Sequence, residues 1–552
     1  MRKPSAPGRK ATFAALMFAG LAVVSPFALR GIACGRELPF HMDSWMEVAQ
    51  QWRHGVVDPQ WAANANYGAG DPRFLLYPPL SWILGGALGS FVPWLFVPVA
   101  FDCCLVVLAG WSMYLTAREW FEQPDAGLIA VAYALNPYML LSIYARSAFA
   151  EMLAACLLPL LVLWIVRDRP VRAMLVPLSL TVAAIWLTNI PAAIIATYLA
   201  MLLLVVGTAM RRNSRVALYG IGAIGLGLAL AAFFLVPAFY ERNWVMLGRL
   251  SMTSSLPQEN LLFRESGAFL RTLSWLAMAE VAVTALAIVA ARKSWRENPR
   301  LCCSLTISAA IACVLMLPVA GVAYRLMPDL HALQFPWRWL LVIGVAYAVF
   351  VVTALPVFSG KSWLYALAFV ALIAGCNHVF QTPCDPAETP FMVSNIYRTG
   401  YGYMGPDEYV TVSGANYAVK PDFPEFRLFA DNGNIATGAR VTHSLSGTSH
   451  KQLTVESPTP VQLVLRLMNY PAWRVEVNGK PVTAQTDRNT GRMVIALPSG
   501  INHIDVRFVR TPDRWIGDAI SFAALLLIFA SWRRERRILQ PLRHRDTAEA
   551  KA

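Results

Sequence analysis

The chain has 552 residues, of which 57% are hydrophobic and only 14% are charged, and its formal net charge is +14. A soluble protein of this length would carry about twice that charged fraction, so the composition excludes a soluble globular protein. The Lys and Arg residues stand in short clusters between long apolar runs, as in the inside loops of membrane proteins, and this placement argues against a nucleic-acid partner.

The N-terminal segment combines a short basic stretch, residues 1–10, with an apolar run over residues 12–29. This pattern resembles a signal peptide, but no convincing small-residue cleavage site follows it, and further apolar runs do. We therefore interpret the run as a signal-anchor with its N-terminus inside the cell. The loop after it, residues 30–94, then lies outside.

That first outer loop contains an unusually polar and aromatic stretch, residues 36–82. The stretch carries His41-Met-Asp43 near its start, a Gly-rich run over residues 66–70, and Tyr77-Pro-Pro-Leu-Ser-Trp82 at its end. It is too polar to stay in lipid. We interpret it as the roof of an active site at the membrane surface.

The apolar piece 75–92 at the end of this loop is short and rich in Pro and Gly, which predicts a re-entrant or juxtamembrane helix rather than a crossing. The remaining long apolar runs predict a polytopic α-helical membrane protein with about twelve spans. The predicted spans are 12–29, 95–116, 126–145, 148–166, 173–189, 190–209, 216–239, 271–291, 301–320, 335–356, 362–378 and 515–531. The basic clusters that we assign to inside loops are Arg167–Arg172, Arg211–Arg215, Arg292–Arg300, Lys361 and Arg533–Arg537.

Residues 379–514 have a different character, because polar and apolar residues alternate with period two, as in Trp473-Arg-Val-Glu-Val477. Asn478-Gly479 directly after this run is a strong hairpin signal. Further strands are predicted at residues 461–466, 492–497 and 504–509. The sequence therefore predicts a small all-β sandwich outside the membrane.

The predicted domain organisation follows from these elements. A transmembrane domain occupies residues 1–378, and the extracytoplasmic β-sandwich occupies residues 379–514. A final span over residues 515–531 leads to a cytoplasmic tail, residues 532–552. If the outer face is oxidising, a Cys376–Cys384 disulfide can form there.

Polar side chains cluster at other predicted outer turns besides the first loop. Arg146 and Glu151 lie at the turn between the third and fourth spans. His331 precedes the tenth span, and Arg338 lies at its start. Such carboxylates can serve as a general base or hold a divalent cation, and arginines bind phosphate bidentately. The alternative is that these charges only mark where helices meet water. It is weaker for Glu151 and Arg338, because both adjoin apolar runs where an ion needs a partner.

Other residues of the first loop keep two interpretations open. His41 and Asp43 are two residues apart, as in many metal sites, but the pair also suits solvated or capping roles. Tyr77 and Trp82 are candidates for a sugar platform or for the interfacial aromatic belt. Glu47 lies one helical turn after Asp43, and as a solvated helix residue it would tolerate Gln.

Several of these motifs together resemble the GT-C class of polytopic glycosyltransferases. They are an Asp in a long first outer loop, the Y-P-P-L-x-W motif after it, and the Arg…Glu turn after the third span. The chain is also similar to a group of bacterial membrane proteins in the order of five motifs, H-x-D, N-x-G-x-G-x-P, R-S-x-x-x-E, Q-F-P-W-R and N-Y-P-x-W-x-V-x-V-N-G. That group carries the label "6-pyruvoyl-tetrahydropterin synthase-related", but the chain has no zinc triad for pterin chemistry.

This resemblance implies transfer of a sugar from a polyprenyl-phosphate carrier to an envelope glycan, lipid or protein outside the bacterial cytoplasmic (inner) membrane. Asp43 would be the general base of a single inverting displacement. Arg338 or Arg146 would neutralise the leaving phosphate. The remaining residues that the resemblance assigns to substrate binding are Tyr77, Trp82, His331 and Glu151.

A divalent ion, Mg or Mn, would be held by Glu151 with His41. The chain departs from the class at this point, because Glu151 has no adjacent Asp and the paired acidic motif of the first loop is reduced to Asp43. Two functions from other classes remain as alternatives. The protein could be an envelope lipid transporter or flippase, or a non-catalytic envelope assembly factor.

Overall fold

The computed structural model describes residues 6–247, 256–264, 267–354, 362–385, 389–400, 402–412, 414, 418–430 and 432–549. Lys361 of the predicted inside clusters lies outside these residues. The helices of the first half are α1 (Ala6–Val24), α2 (Phe27–Arg30), α3 (Leu38–Arg53), α4 (Ala65–Gly68), α5 (Arg73–Leu76), α6 (Pro79–Gly89), α7 (Val97–Ala117), α8 (Asp125–Ala134), α9 (Pro137–Leu141), α10 (Phe149–Ala155) and α11 (Leu158–Val166). The later helices are α12 (Leu175–Trp186), α13 (Ile190–Arg211), α14 (Arg215–Leu230), α15 (Ala232–Glu241), α16 (Gly267–Ala290), α17 (Arg292–Glu297), α18 (Pro299–Met316), α19 (Gly321–Leu326), α20 (Leu340–Ala354), α21 (Ser362–Phe380), α22 (Pro390–Thr399) and α23 (Pro512–Glu549).

The described part of the chain contains nine helices that are long and apolar enough to cross a membrane, or ten if the pair α14–α15 is one broken span. That pair is bent by 70°. Two of the predicted spans, 173–189 and 362–378, correspond to shorter apolar helices. The piece at 75–92 contains the short helix α6, which is not among the helices long enough to cross a membrane. That it does not cross stays a prediction. The polytopic helical fold with a β domain is confirmed, and the span count is slightly lower than predicted.

Small residues let the first helices approach closely. A Cβ atom at Gly110 of α7 would stand 2.2 Å from Leu16 Cδ2 of α1, and one at Gly20 would stand 2.9 Å from Cys103 Sγ. In a membrane, where lipid tails are as apolar as the helices, such close backbone contact is a main source of helix association. The helical domain is therefore packed from its first span onward.

The β domain is a sandwich of two antiparallel sheets, as predicted from the period-two pattern. One sheet has the order β1-β4-β8-β7 and the other β2-β3-β9-β5-β6. The strands are β1 (Phe426–Ala430), β2 (Arg440–Ser446), β3 (His450–Ser457), β4 (Val461–Met468), β5 (Trp473–Val477), β6 (Lys480–Val482), β7 (Gln485–Thr486), β8 (Arg492–Leu497) and β9 (Gly500–Phe508). Asn478 and Gly479 have φ values of 53° and 74°, which is the backbone that a tight hairpin between β5 and β6 requires.

The first loop packs directly against this sandwich. Trp61 lies among Tyr470, Trp473 and Phe508, with ring centroids 5.5–5.7 Å away. Gly70 is needed beside it, because its φ is +76° and a Cβ atom there would stand 2.0 Å from the Trp61 indole nitrogen. The loop and the sandwich therefore lie on the same side of the helical domain.

A buried carboxylate joins the sandwich to the helices. Glu241, at the end of α15, accepts hydrogen bonds from Arg514 Nε at 2.7 Å and Arg514 Nη2 at 3.0 Å. Tyr470 of the sandwich and Thr511, just before α23, also donate to Glu241. Glu241 is fully buried, so these donors offset the cost of removing its charge from water.

We predict that the first loop and the sandwich both face the extracytoplasmic side. Single cysteines at the exposed positions Val57 and Ser446 should react with a membrane-impermeant maleimide in intact spheroplasts. A cysteine at Lys293, which is exposed in the predicted inside turn after α16, is the matched control and should react only after the membrane is opened. Protection of Val57→Cys or Ser446→Cys in intact spheroplasts would contradict this orientation.

Candidate active site

Helix α3 runs through the centre of the site and is buried on nearly every side. Trp45 stacks on Phe101 of α7 at 4.9 Å. On the opposite helix, Gly85 of α6 leaves room for the same indole, because a Cβ atom there would stand 2.3 Å from it. Helix α22 also packs against α3. Polar groups of α3 must therefore find partners inside the protein.

The first set of such groups, the arginine cluster, consists of Glu37, Arg146, Glu151, Arg338 and Tyr138. Arg146 donates to both oxygens of Glu151, at 3.0 and 2.9 Å, and to Glu37 Oε1 at 2.7 Å. Arg338 Nε donates to Glu151 Oε2 at 2.8 Å, and the Tyr138 hydroxyl donates to Glu151 Oε1. Two guanidinium groups therefore face two carboxylates, and the cluster is neutral when both carboxylates are ionised.

Arg146 is presented by an irregular turn. Residues Ser142–Arg146 form a π-helical turn, and Ser147 after it has a left-handed backbone with φ 54°. The turn leaves backbone carbonyl groups free, and two other segments donate to them. Thr382 donates to the carbonyls of Tyr144 and Ala145, and the Glu37 N–H donates to the carbonyl of Arg146. The turn is thus fixed by two segments that are distant from it in sequence.

A disulfide joins those two segments. Cys384 is bonded to Cys34, with the Cα atoms 4.7 Å apart, and Cys376 is a buried free thiol in α21. The predicted Cys376–Cys384 pairing is therefore wrong. The reason is tertiary, because the Cys34 N–H donates to the Thr382 carbonyl and brings the first loop to the chain after α21.

Glu37 is the most accessible charged group of the arginine cluster, with 30% of its side chain exposed. Burial tends to raise the pKa of its carboxyl, but the Arg146 guanidinium, together with His41 and Arg338, lowers that pKa to about 2. Glu37 is therefore ionised at any physiological pH.

The second set of polar groups, the Asp43 cluster, consists of Asp43, Glu47, Asp71 and Arg73. Arg73 donates to both oxygens of Asp71, at 2.9 and 2.7 Å. Asp43 Oδ1 and Arg73 Nη1 are buried and have no hydrogen-bond partner among the described residues. Tyr397 of α22 covers Asp43 and donates to its backbone carbonyl at 2.6 Å.

The environment of Asp43 favours its neutral form. Burial raises the pKa of the Asp43 carboxyl to about 7; Glu47 and Asp71 add to the rise, and Arg73 opposes it. A carboxyl with this pKa exchanges a proton readily near neutral pH, which is the property that a general base needs.

Glu47 is not the solvated residue that its helical spacing allowed. Its Oε1 atom accepts hydrogen bonds from Gln51 Nε2 at 3.0 Å and Ala63 N–H at 2.9 Å, and its Oε2 atom accepts from Asn64 N–H at 3.2 Å and Asn64 Nδ2 at 2.9 Å. The side chain is fully buried. Glu47 therefore holds the loop after α3 in place.

The structure places the other predicted substrate-binding residues, Tyr77, Trp82 and His331, in three different surroundings. Tyr77 packs against the first turn of α3, with its ring 4.9 Å from that of Phe40 and 6.1 Å from that of His41. Trp82 packs against Phe74 instead, at 5.0 Å, and donates to the Tyr77 carbonyl. His331 is exposed in a short 3₁₀ helix, and no described residue forms a hydrogen bond with its side chain.

The donors around Glu151 do not fit the divalent ion predicted there with His41. Both Glu151 oxygens already accept hydrogen bonds from Arg146, Arg338 or Tyr138. Within the described ranges no three His, Cys, Asp or Glu residues come together as metal ligands. His41 and Asp43 also point to opposite sides of α3, because two residues turn a helix by about 200°. Glu151 and His41 therefore do not supply ligands for a metal ion in this arrangement, and the metal cofactor stays a prediction.

Sequence reasoning missed the roles of Arg73, Asp71 and Tyr138. Asp71-Pro-Arg73 has the short spacing of a bidentate pair, and this signal could have identified it. Nothing in the sequence marks Tyr138 as the donor to Glu151, because both stand in continuous apolar runs.

No protein-family profile and no curated protein matches the chain. Three solved structures resemble it. The arabinofuranosyltransferase AftD from Mycobacteria is 16% identical, with 68% of this chain and 28% of that chain covered and a TM-score of 0.42. The oligosaccharyltransferase from Archaeoglobus fulgidus in its apo form is 12% identical, with 72% and 56% covered and a TM-score of 0.39.

The third structure is the oligosaccharyltransferase AglB from Archaeoglobus fulgidus with an inhibitory peptide and a dolichol-phosphate. It is 13% identical, with 73% of this chain and 57% of that chain covered and a TM-score of 0.36. The chain thus spans between about a quarter and three fifths of the lengths of these proteins. The resemblance to the pterin-synthase-related group of bacterial proteins stays a prediction.

Glu47→Gln should destabilise the protein although it changes only one atom. The amide nitrogen would face the N–H groups that now donate to the carboxylate, and an unsatisfied buried donor costs about 1–3 kcal/mol. Thermal unfolding of the purified protein measures this loss. The control is Asp407→Asn, an exposed change that should leave the melting temperature unaltered. Equal melting temperatures for wild type and Glu47→Gln would contradict the buried role.

Proposed function

We propose that the protein is a membrane glycosyltransferase of the GT-C type. It transfers a sugar from a polyprenyl-phosphate-linked donor to a cell-envelope acceptor on the extracytoplasmic face of a bacterial cytoplasmic membrane. The observation that carries this proposal is the arrangement of α3. One buried carboxyl oxygen of Asp43 has no hydrogen-bond partner among the described residues, and two arginines lie at the N-terminal end of the helix.

Asp43 is the general base in this mechanism. It takes the proton of an acceptor hydroxyl while the hydroxyl oxygen attacks the anomeric carbon from the side opposite the phosphate. The bond between that carbon and the phosphate oxygen breaks as the new glycosidic bond forms, so the configuration inverts. Polyprenyl phosphate leaves with the bonding electron pair.

The arginine cluster receives the phosphate. Arg338 uses Nε for Glu151 and Nη1 for the Leu333 carbonyl, and its Nη2 forms no hydrogen bond with a described residue. Arg146 is held on one side by Glu37, the most exposed carboxylate of the cluster. A phosphate oxygen can therefore bind Arg338 directly and replace Glu37 on Arg146, which keeps both guanidinium groups compensated.

The acceptor reaches Asp43 by a movement of the covering segment. Asp43 is only 8% exposed, and α22 with the turn at Tyr403 lies over it. These residues are tied to the first loop by a few hydrogen bonds, such as Gly405 N–H to Asn66 at 3.1 Å. We expect this segment to open for the acceptor and to close during transfer, which excludes water from the sugar.

Asp43→Asn should reduce transfer by about two to four orders of magnitude, because it removes the general base. In the wild type the rate should fall about tenfold per pH unit below 7, since only the ionised carboxylate accepts a proton and its pKa is about 7. The rate should level off above that value. A purified assay with a synthetic polyprenyl-phosphate sugar and mass-spectrometric detection of the product measures both effects.

Asp407→Asn is the matched control for Asp43→Asn and should retain wild-type transfer and its pH profile. If Asp43→Asn and Asp43→Glu are both fully active, Asp43 is not the base. If the wild type transfers no sugar from any polyprenyl-phosphate donor, the transport or assembly function gains support instead.

Arg338→Lys should raise the KM for the donor and lower kcat, with a combined loss of about one to two orders of magnitude. Lysine keeps the charge but cannot bind Glu151, the Leu333 carbonyl and a phosphate in one plane. The control is Arg325→Lys, because Arg325 is exposed on α19. Unchanged kinetics in Arg338→Lys, with normal membrane levels, would remove Arg338 from the donor site.

A further inference from the structure

A cavity of about 300 Å³ lies outside both clusters, where the helices α5 and α6, the half-helix α15 and the start of α23 meet. Its apolar wall includes Phe74, Trp82, Ile83 and Phe234. Its volume is at the lower end of the range for small-molecule sites. Nothing in the proposed donor or base chemistry uses this cavity.

Another part of the cavity lining is polar, and Arg510 joins Asp58 and Asp518 there in one group of ion pairs. Asp58, Gln60, Arg510 and Asp518 line it, and we call them the rim. The side chains of Asp58, Arg510 and Asp518 are 63%, 38% and 37% exposed, so they are available to a ligand. The cavity is therefore amphipathic, with an apolar wall and a polar rim.

The charge of the rim selects among polar heads. Arg510 pairs with Asp518 and lies 3.6 Å from Asp58, so one guanidinium faces two carboxylates. The nearby Arg514 is compensated by Glu241 and adds no net charge. The rim thus carries one excess negative charge, which repels a phosphate head. Carboxylate, amide and guanidinium groups side by side can accept from and donate to the hydroxyls of an uncharged sugar.

The position of the cavity indicates that its ligand comes from the bilayer. It adjoins the break between α14 and α15, where the broken span bends by 70°. Two exposed aromatic side chains lie at it, namely Phe233, which lines it, and Trp515, whose ring lies 5.2 Å from the Arg510 guanidinium, with 42% and 61% of their surface exposed. Aromatic residues at this density are typical of the membrane–water interface. A lipid with its tail in the membrane would present its head at this level.

Helix α5 forms the wall that the cavity shares with the Asp43 cluster. Arg73 of α5 belongs to that cluster, whereas Phe74 and Leu75, the next residues, line the cavity. A head group in the cavity would lie one short helix away from the carboxyl of Asp43.

We propose that this cavity binds the head of a neutral glycolipid, a membrane lipid whose head is an uncharged sugar. That this lipid is the acceptor rests on the proposed function. The binding itself does not.

Native mass spectrometry of the full-length protein in detergent tests the binding. Monoglucosyl diacylglycerol and phosphatidylglycerol with the same acyl chains are the probes. The wild type should retain the glucolipid at least about tenfold better than phosphatidylglycerol. Ile83→Trp fills the cavity and should lower glucolipid retention about tenfold. Leu84→Trp is the control, because Leu84 is the next residue, is 42% exposed and does not line the cavity.

A second variant decides the question if Ile83→Trp does not fold. Asp58→Asn combined with Asp518→Asn reverses the net charge of the rim and should raise retention of phosphatidylglycerol relative to the glucolipid. Equal retention of the two lipids by the wild type, or no change in their ratio in the double variant, would overturn the proposal.

The proposed transferase function and the proposed lipid site can be tested separately. Asp43→Asn should retain the glucolipid like the wild type. If the protein binds the glucolipid but transfers no sugar, the proposed lipid site stands and the proposed transferase function fails. If the protein transfers sugar but does not prefer the glucolipid, the transferase function stands and the lipid site fails.

Discussion

The structure depends first on the burial of charge around Glu151. This carboxylate is 1% exposed, and removing an ion from water costs several kcal/mol even after the surroundings relax. The cost is offset only when every partner is present. Glu37, Arg146 and Arg338 come from three distant parts of the chain, so the first loop, the π-helical turn and the 3₁₀ turn before α20 must reach their positions together. The cluster is therefore also the contact that fixes these elements relative to one another.

The geometry of α3 then separates two kinds of chemistry. Glu37 immediately precedes the helix, and Asp43 lies six residues later, about 9 Å along the helix axis. The charges at the N-terminal end are strongly compensated. Farther along, burial raises the pKa of Asp43, and the one nearby guanidinium, which is already bound to Asp71, offsets this rise only in part. A site that neutralises a leaving phosphate and a site that removes a proton need these opposite environments.

How far the sequence predicts this molecule depends on the range of the interaction concerned. Most of the long apolar helices, the β domain and the hairpin at Asn478-Gly479 were predicted correctly, because composition, periodicity and turn residues act within a few positions. Glu151 and Arg338 were predicted as site residues because an ion beside an apolar run needs a partner. Arg146 was predicted from its place at the same outer turn as Glu151. The partner of Cys384 and the burial of Glu47 were missed. Both are decided by segments that tertiary packing brings together, and Cys34 is separated from Cys384 by 350 residues.

The sandwich is more than an appendage of the helical domain, because it contacts the groups that hold the lining of the cavity in place. Arg514 donates to Gln60 of the first loop at 2.8 Å and to Glu241 of α15, and Glu241 in turn accepts from Tyr470 of the sandwich. Both Gln60 and Arg514 line the cavity. If the sandwich left its place, Glu241 would lose a buried donor, and Trp61 would lose the aromatic rings that hold the first loop. The loop carries Asp58 and Gln60, so the rim would lose its shape with it. The cavity therefore keeps its shape only while the sandwich is docked on the helical domain. A ligand that binds the cavity must for this reason also stabilise the docked sandwich.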